Sequence, residues 1–156
     1  MNKYVIETEN LTKDYHGLIA VDKLSLHVPK GKIYALLGRN GAGKTTTMKM
    51  LLNLVRPSGG SIYLFGENHS VFEKKNSHRI GSLIETPAFY ENLTAGENLE
   101  ILARLRGRHR KDTVEHALSV VNLDKENRKL FREYSLGMKQ RLGLAAAIMH
   151  EPELLI

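Results

Sequence analysis

The segment Gly38-Arg-Asn-Gly-Ala-Gly-Lys-Thr45 constrains this chain more than any other, because it fits G-x-x-x-x-G-K-[ST] in full. In the motif a strand leads into the loop and a helix leads out of it. Both neighbours are readable in the sequence. Ile33-Tyr-Ala-Leu-Leu37 is apolar without alternation, as expected for a strand covered on both faces. Beyond Thr45, the residues Met48, Leu51, Leu52 and Val55 recur at helical spacing until Arg56-Pro-Ser-Gly-Gly60 ends the helix. Gly38, Gly41 and Gly43 let the backbone come close to an anion with successive N–H groups aimed at phosphate oxygens. Lys44 is expected to set its ammonium on the β and γ phosphates of a nucleotide, and Thr45 its hydroxyl on Mg²⁺. The helix that begins near Lys44 adds its unpaired amides and its dipole. Charge-assisted hydrogen bonds of this type contribute about 1.5–3 kcal/mol each. Nucleotide contacts are therefore expected at Gly38, Arg39, Asn40, Gly41, Ala42, Gly43, Lys44, Thr45 and Thr46.

Composition sets the frame around this loop. With 156 residues, 42% hydrophobic and 26% charged, the chain suits one soluble domain and excludes disorder and collagen. The absence of Cys excludes disulfides, Cys-ligated zinc, iron–sulfur clusters and thiol chemistry, and agrees with a reducing compartment. The longest apolar stretch, Leu142 to Met149, falls far short of the roughly 20 residues needed to cross a bilayer. An acidic residue, Glu7, interrupts the start before an apolar core can form, so no signal peptide is expected and a cytosolic setting is the default. The net charge of +6 favours anionic partners: nucleotides, nucleic acid or acidic lipid.

Along the chain, Tyr4, Ile6 and Thr8 and then Leu24, Leu26 and Val28 alternate with their neighbours at the period of half-buried strands. Ser61 to Phe65 and Ile80 to Ile84 read as further strands. Thr94-Ala-Gly-Glu97 has capping-box spacing and starts a helix whose apolar face is Leu99, Leu102, Ala103 and Leu105. A second helix is expected from Asp112 and a third from about Gly137 to Met149, before Leu154-Leu-Ile156 returns to strand character. The architecture is accordingly α/β with a helical insertion.

With the phosphate loop in place, the chain resembles the ATP-binding subunit of ABC transporters from Tyr4 to its last residue. Three further segments carry the resemblance. Leu11-Thr-Lys-Asp-Tyr15-His-Gly17 precedes the loop where the family has an aromatic residue that stacks on adenine, and Tyr15 is the matching position. Tyr134-Ser-Leu-Gly-Met-Lys-Gln-Arg-Leu142 aligns with the family signature Leu-Ser-Gly-Gly-Gln and the Gln-Arg after it. Ser135, Gly137, Gln140 and Arg141 match, whereas Tyr134, Leu136 and Met138 depart. The resemblance implies that Ser135 and Gly137 contact the γ-phosphate held by an opposite subunit, so that two chains enclose two ATP molecules. Ile80-Gly-Ser-Leu-Ile-Glu85 matches the strand whose end carries the family glutamine, which touches Mg²⁺ or the attacking water. Here the position is Glu85, a carboxylate able to ligate a hard cation. Glu85 and the Tyr-Ser-Leu-Gly-Met variant are similar to the subgroup of bacitracin-exporter and lantibiotic-immunity ATPases.

The resemblance implies an α/β fold: a P-loop NTPase core of the ABC ATPase type, with an N-terminal antiparallel β part and a helical insertion. Residues 1–85 are expected to form the β-rich core with the phosphate loop, 86–140 a helical subdomain, and 141–156 a return to the core. It also implies ATP and Mg²⁺ as cofactors, with Lys44 and Glu85 catalytic and Thr45 and Glu85 on the metal. Separate transmembrane permease subunits, a homodimer of nucleotide-binding domains, no nucleic acid, and a cytoplasmic place on the inner face of the cell membrane follow as expectations. So does export of a peptide antibiotic or a similar compound. The family needs an Asp and a catalytic Glu after a strand of the type Leu-Leu-Ile-Leu, and then a switch histidine. The sequence stops at Leu154-Leu-Ile156, so a truncated domain with part of its sheet missing is expected, weak in ATP binding and negligible in hydrolysis by itself. Two other classes stay open: a soluble ABC-type ATPase working on ribosomes or nucleic acid, and an inactive nucleotide-binding fragment. The basic run Arg104-Leu-Arg-Gly-Arg-His-Arg-Lys111 reads as a solvated loop between helices, with anionic lipid or nucleic acid as the other readings.

Overall fold

A two-residue turn at His16 and Gly17, both with positive φ (54° and 97°), folds the start of the chain into a hairpin. In this computed structural model, which describes residues 3–69, 77–85, 88–107, 111–126 and 128–156, the hairpin strands are β1 (Tyr4–Tyr15) and β2 (Leu18–Leu24). Their register ends on the pair Tyr15 and Leu18. A short strand β3 (His27–Pro29) continues along the edge of β1 that β2 leaves, with Ile6 opposite Val28. The alternation over Leu24 to Val28 thus belongs to two strands rather than one, and the break at Ser25-Leu26 has a cause in Thr8. That residue is fully buried; its hydroxyl donates to the Leu24 carbonyl (2.9 Å) and accepts from the Leu26 amide (2.9 Å). The turn therefore leaves no buried backbone group unpaired there.

On the other edge of β1 lies β4 (Gly59–Leu64), followed by β5 (Glu67–Asn68), giving an antiparallel order β2-β1-β4-β5. Helix α1 (Lys44–Leu51) closes this unit, and Leu11, Met50 and Leu64 are fully buried within it, with Val5, Ile6, Leu26, Val28 and Ile62 around them. Burial of each such side chain contributes about 1.5–3 kcal/mol. Helix α1 stops short of the Val55 that the spacing suggests. Asn53 enters the left-handed region (φ 56°), its amide bonds to the Met50 carbonyl (3.1 Å), and the Leu54 amide bonds to Lys49 (2.8 Å). Those two bonds are the Schellman arrangement, which consumes the carbonyls a longer helix would use.

One expected strand is absent. Residues 32–39 adopt no regular element; Ile33 is 103% exposed and Leu37 88%. A strand exists only where a neighbour takes its N–H and C=O groups, and among the described residues none does so for Ile33 to Leu37.

The chain divides into two compact units, Met1–Ser77 and His78–Ile156, a division ahead of the boundary expected at Glu85. The second unit is helical: α2 (Ala95–Leu105), α3 (Lys111–Val120) and α4 (Leu136–Ile148). Leu99, Ala103, Val114, Leu118, Leu123, Phe131, Tyr134, Leu142 and Met149 share one buried cluster. Tyr134, one of the departures from the family signature, is a core residue 4% exposed beside Phe131. In the same unit β6 (Ile80–Gly81) and β7 (Leu154–Leu155) pair in parallel, and Arg79 grips Glu153 with two hydrogen bonds (2.5 and 2.9 Å). The expected strand over Ile80 to Ile84 is thus shorter, although the Leu83 amide still reaches the Ile156 carbonyl (2.8 Å).

Candidate functional site

Gly43 is the pivot of the phosphate loop. It is the N-cap of α1 with φ 80° and gives no side-chain cap, so no side chain of the cap covers the first amides of the helix. The Thr47 amide is the first to bond back, to the Gly43 carbonyl (2.8 Å), and the Thr47 hydroxyl bonds to the same oxygen (2.9 Å). Lys44, Thr45 and Thr46 therefore hold the first three helical positions, whose N–H groups have no intrahelical acceptor. A Cβ on Gly43 would run into the Ala20 carbonyl oxygen and come within 2.9 Å of Val21 Cγ2 on β2. Only glycine brings the loop this close to the sheet with this φ.

The rest of the loop is exposed and held by its own backbone. The Ala42 amide donates to the Arg39 carbonyl (3.1 Å), and that turn carries Asn40 and Gly41, the latter with φ 83°. Lys44 Nζ donates to the carbonyls of Gly38 (2.8 Å) and Arg39 (2.8 Å). An ammonium has three N–H donors, so the geometry that fixes the lysine across the loop mouth leaves a third for an anion. Thr45 is exposed at the second helical position and supplies a hard oxygen of the kind Mg²⁺ takes. Thr46 is half-buried behind it.

Tyr15 stands at the hairpin end of β1 in the same unit, 43% exposed, with Lys13 Nζ 4.8 Å from its ring centroid. The turn beside it is pinned by Asp14, whose carboxylate accepts from the Gly17 amide (2.7 Å).

The remaining expected site residues lie in the second unit. Glu85 is exposed in the bend after β6. Ser135 is the N-cap of α4; its hydroxyl oxygen accepts from the Met138 amide (3.3 Å). Its O–H proton stays available as a donor. Gly137 is exposed, and a Cβ there would meet nothing within 4 Å, so packing inside the chain does not call for glycine. Arg141 uses its guanidinium to accept nothing and donate twice, to the carbonyls of Val121 (3.3 Å) and Asn122 (3.0 Å) at the end of α3. Of the basic run, Arg104 and Arg106 are described and exposed, whereas residues 108–110 lie outside the described residues.

Two contributors were not singled out in the sequence. Lys13 sits two residues before Tyr15 in extended chain, and that spacing was its only signal. Asn98 is 2% exposed; its amide donates to the carbonyls of Tyr90 (3.1 Å), Leu93 (3.4 Å) and Thr94 (2.9 Å) and accepts from the Tyr90 amide (2.8 Å). A polar residue among the apolar positions of α2 was the available clue.

A lysine-bearing glycine loop that caps a helix and packs on a β-sheet defines a P-loop nucleotide-binding protein. The profile of the family described as ABC transporter matches residues 21–156, and the chain belongs to that family, which implies nucleotide binding. It is 65% identical to the bacitracin transport ATP-binding protein BcrA of Enterococcus faecalis over 158 aligned positions, which cover 99% of this chain and 50% of the relative. It is 38% identical to the lantibiotic transport ATP-binding protein SrtF of Streptococcus pyogenes, covering 97% of this chain and 65% of the relative. A solved ATP-binding subunit of an ABC transporter superposes with a TM-score of 0.82 at 28% identity, over 97% of this chain and 64% of that one. The chain spans about half the length of the first of these relatives. No helix among the described residues is long and apolar enough to cross a membrane.

Proposed function

We propose that this chain carries the ATP-binding part of an ABC exporter ATPase, and that the exported compound is a peptide antibiotic such as bacitracin or a lantibiotic. The observation that carries the reading is the Gly43-capped start of α1, with the Lys44 ammonium across the loop mouth. The amides of Lys44, Thr45 and Thr46 receive phosphate oxygens, and the third proton of Lys44 meets the β and γ phosphates. Mg²⁺ would neutralise phosphate charge, and Thr45 would hold it through its hydroxyl oxygen; the match of Glu85 to the family glutamine supports a metal-ligand role for its carboxylate. Tyr15 offers its ring to the adenine. Ser135 and Gly137 present a hydroxyl and an uncrowded backbone to the γ-phosphate of a second subunit, in a homodimer that works beneath separate permease subunits at the inner face of the cell membrane. The names of BcrA and SrtF support the substrate class, and the order of motifs supports the division of roles.

Isothermal titration of the 156-residue chain with ATP and Mg²⁺ tests the core of the reading. Lys44→Ala removes one charge-assisted contact, so ATP affinity falls about ten- to a hundredfold. Equal affinity for the two proteins would sink the proposal.

A further inference from the structure

We infer that Lys13 is a positioning residue for the nucleobase, acting through Tyr15; the inference rests on the proposal that the phosphate loop binds a nucleotide with its base at Tyr15. The ammonium of Lys13 lies 4.8 Å from the centroid of the Tyr15 ring, within the range of a cation–π contact. The same ammonium donates to the Arg56 carbonyl (2.9 Å), in the segment that follows α1. It therefore does not swing with solvent: one end is fixed in β1 and the other on the loop behind the phosphate-binding helix.

The neighbourhood reinforces that clamp. The Asp14 amide donates to Ser58 Oγ (3.0 Å), and the Ser58 amide donates to the Thr12 carbonyl (2.8 Å), so three consecutive residues of β1 are tied to residues 56–58. On its far side the helix start is fixed to β2 by the close approach of Gly43 to Ala20. Both the ring and the phosphate loop are thereby referenced to one hairpin. A cation on one face of the ring leaves a base the opposite face alone, and it holds the ring in a single orientation before the base arrives. An exposed phenol without that contact samples several rotamers, and ordering it on binding lowers affinity. Exposed cation–π contacts of about 0.5–1 kcal/mol correspond to about a two- to fivefold change in affinity.

The experiment compares ATP with inorganic tripolyphosphate, which has the phosphates and no base, on the full chain. Lys13→Met keeps an unbranched stem and removes the charge. It is expected to weaken ATP about two- to fivefold and to leave tripolyphosphate unchanged. Lys13→Arg, which keeps a cation over the ring, retains wild-type affinity for both. In a Tyr15→Ala background, Lys13→Met adds no further loss. An equal loss for ATP and tripolyphosphate makes Lys13 a plain phosphate-attracting charge and overturns the inference. So does an unchanged ATP affinity in a protein whose Tyr15→Ala variant binds ATP more weakly. If Tyr15→Ala itself leaves ATP binding unchanged, the base is not at Tyr15 and both the inference and that part of the proposed function fall.

Discussion

At the scale of single residues, two glycines in equivalent-looking helix starts have opposite reasons for being glycine. Gly43 combines a φ of 80° with a backbone approach that a Cβ would block at Ala20 and Val21. Gly137 has open space around it. Gly43→Ala is therefore expected to lower stability by about 1–3 kcal/mol, the range for a side chain forced into the left-handed region, and to weaken ATP as the loop is pushed off β2. Gly137→Ala should leave stability unchanged or raise it by up to about 1 kcal/mol, as alanine exceeds glycine inside a helix. Thermal unfolding of the two variants decides: comparable losses would mean that the packing around Gly43 is not what requires glycine. The motif marks Gly38 to Thr45 as a unit because its spacing is local, and the structure makes Gly43 the N-cap of α1. Lys13 was not readable, because its meaning depends on Arg56, far along the sequence.

Among the elements, α2 was the most legible, since its start is written in four consecutive residues. Thr94 Oγ1 accepts from the Glu97 amide (3.3 Å), and the Glu97 carboxylate accepts from the Thr94 amide (2.7 Å) and hydroxyl (2.8 Å). The backbone bond from Thr94, and then its hydroxyl bond, hold the Glu97 carboxyl below its ordinary range. A carboxyl whose folded pKa is lowered contributes stability that is present above its unfolded pKa and disappears as the pH falls through the folded value. Mild acid should thus loosen the start of α2, and Glu97→Gln, which keeps both hydrogen-bonding directions, should remove that part of the pH dependence. Hydrogen exchange at the first turn of α2 measured from neutral pH to pH 3 checks it; identical profiles for the two proteins would refute the assignment. Thr94→Ala removes the cap and is expected to cost about 1 kcal/mol at neutral pH. Strands were less legible. The polar residues of β1 at Glu9, Asn10 and Lys13 hid its second half, and the two-residue turn at His16-Gly17 lacks the Asn-Gly or Asp-Gly pair that announces a hairpin.

For the molecule as a whole, the clearest departure from expectation is also the source of its expected behaviour in solution. Ile33-Tyr-Ala-Leu-Leu37 has the composition of a buried strand, yet Ile33 and Leu37 are almost fully exposed and Tyr34 is half-exposed. The sequence pattern reports what such a segment prefers, and a sheet also needs partners, which no local pattern can supply. An exposed apolar run whose backbone groups lack partners among the described residues can pair with another molecule. The positive net charge of +6 and the flanking Lys30, Lys32 and Arg39 oppose such pairing through repulsion that salt screens. Self-association is therefore expected to grow with protein concentration and with ionic strength, the reverse of an association held by surface charge. Replacing both exposed anchors, Ile33→Lys with Leu37→Lys, changes side chains that contribute little to the folded core, so stability should move by no more than about 0.5 kcal/mol per site. Sedimentation velocity at low and high salt then separates the explanations. A double variant that stays monomeric in both, while the parent chain associates at high salt, assigns the association to this segment; a variant that associates as the parent does would place the sticky surface elsewhere.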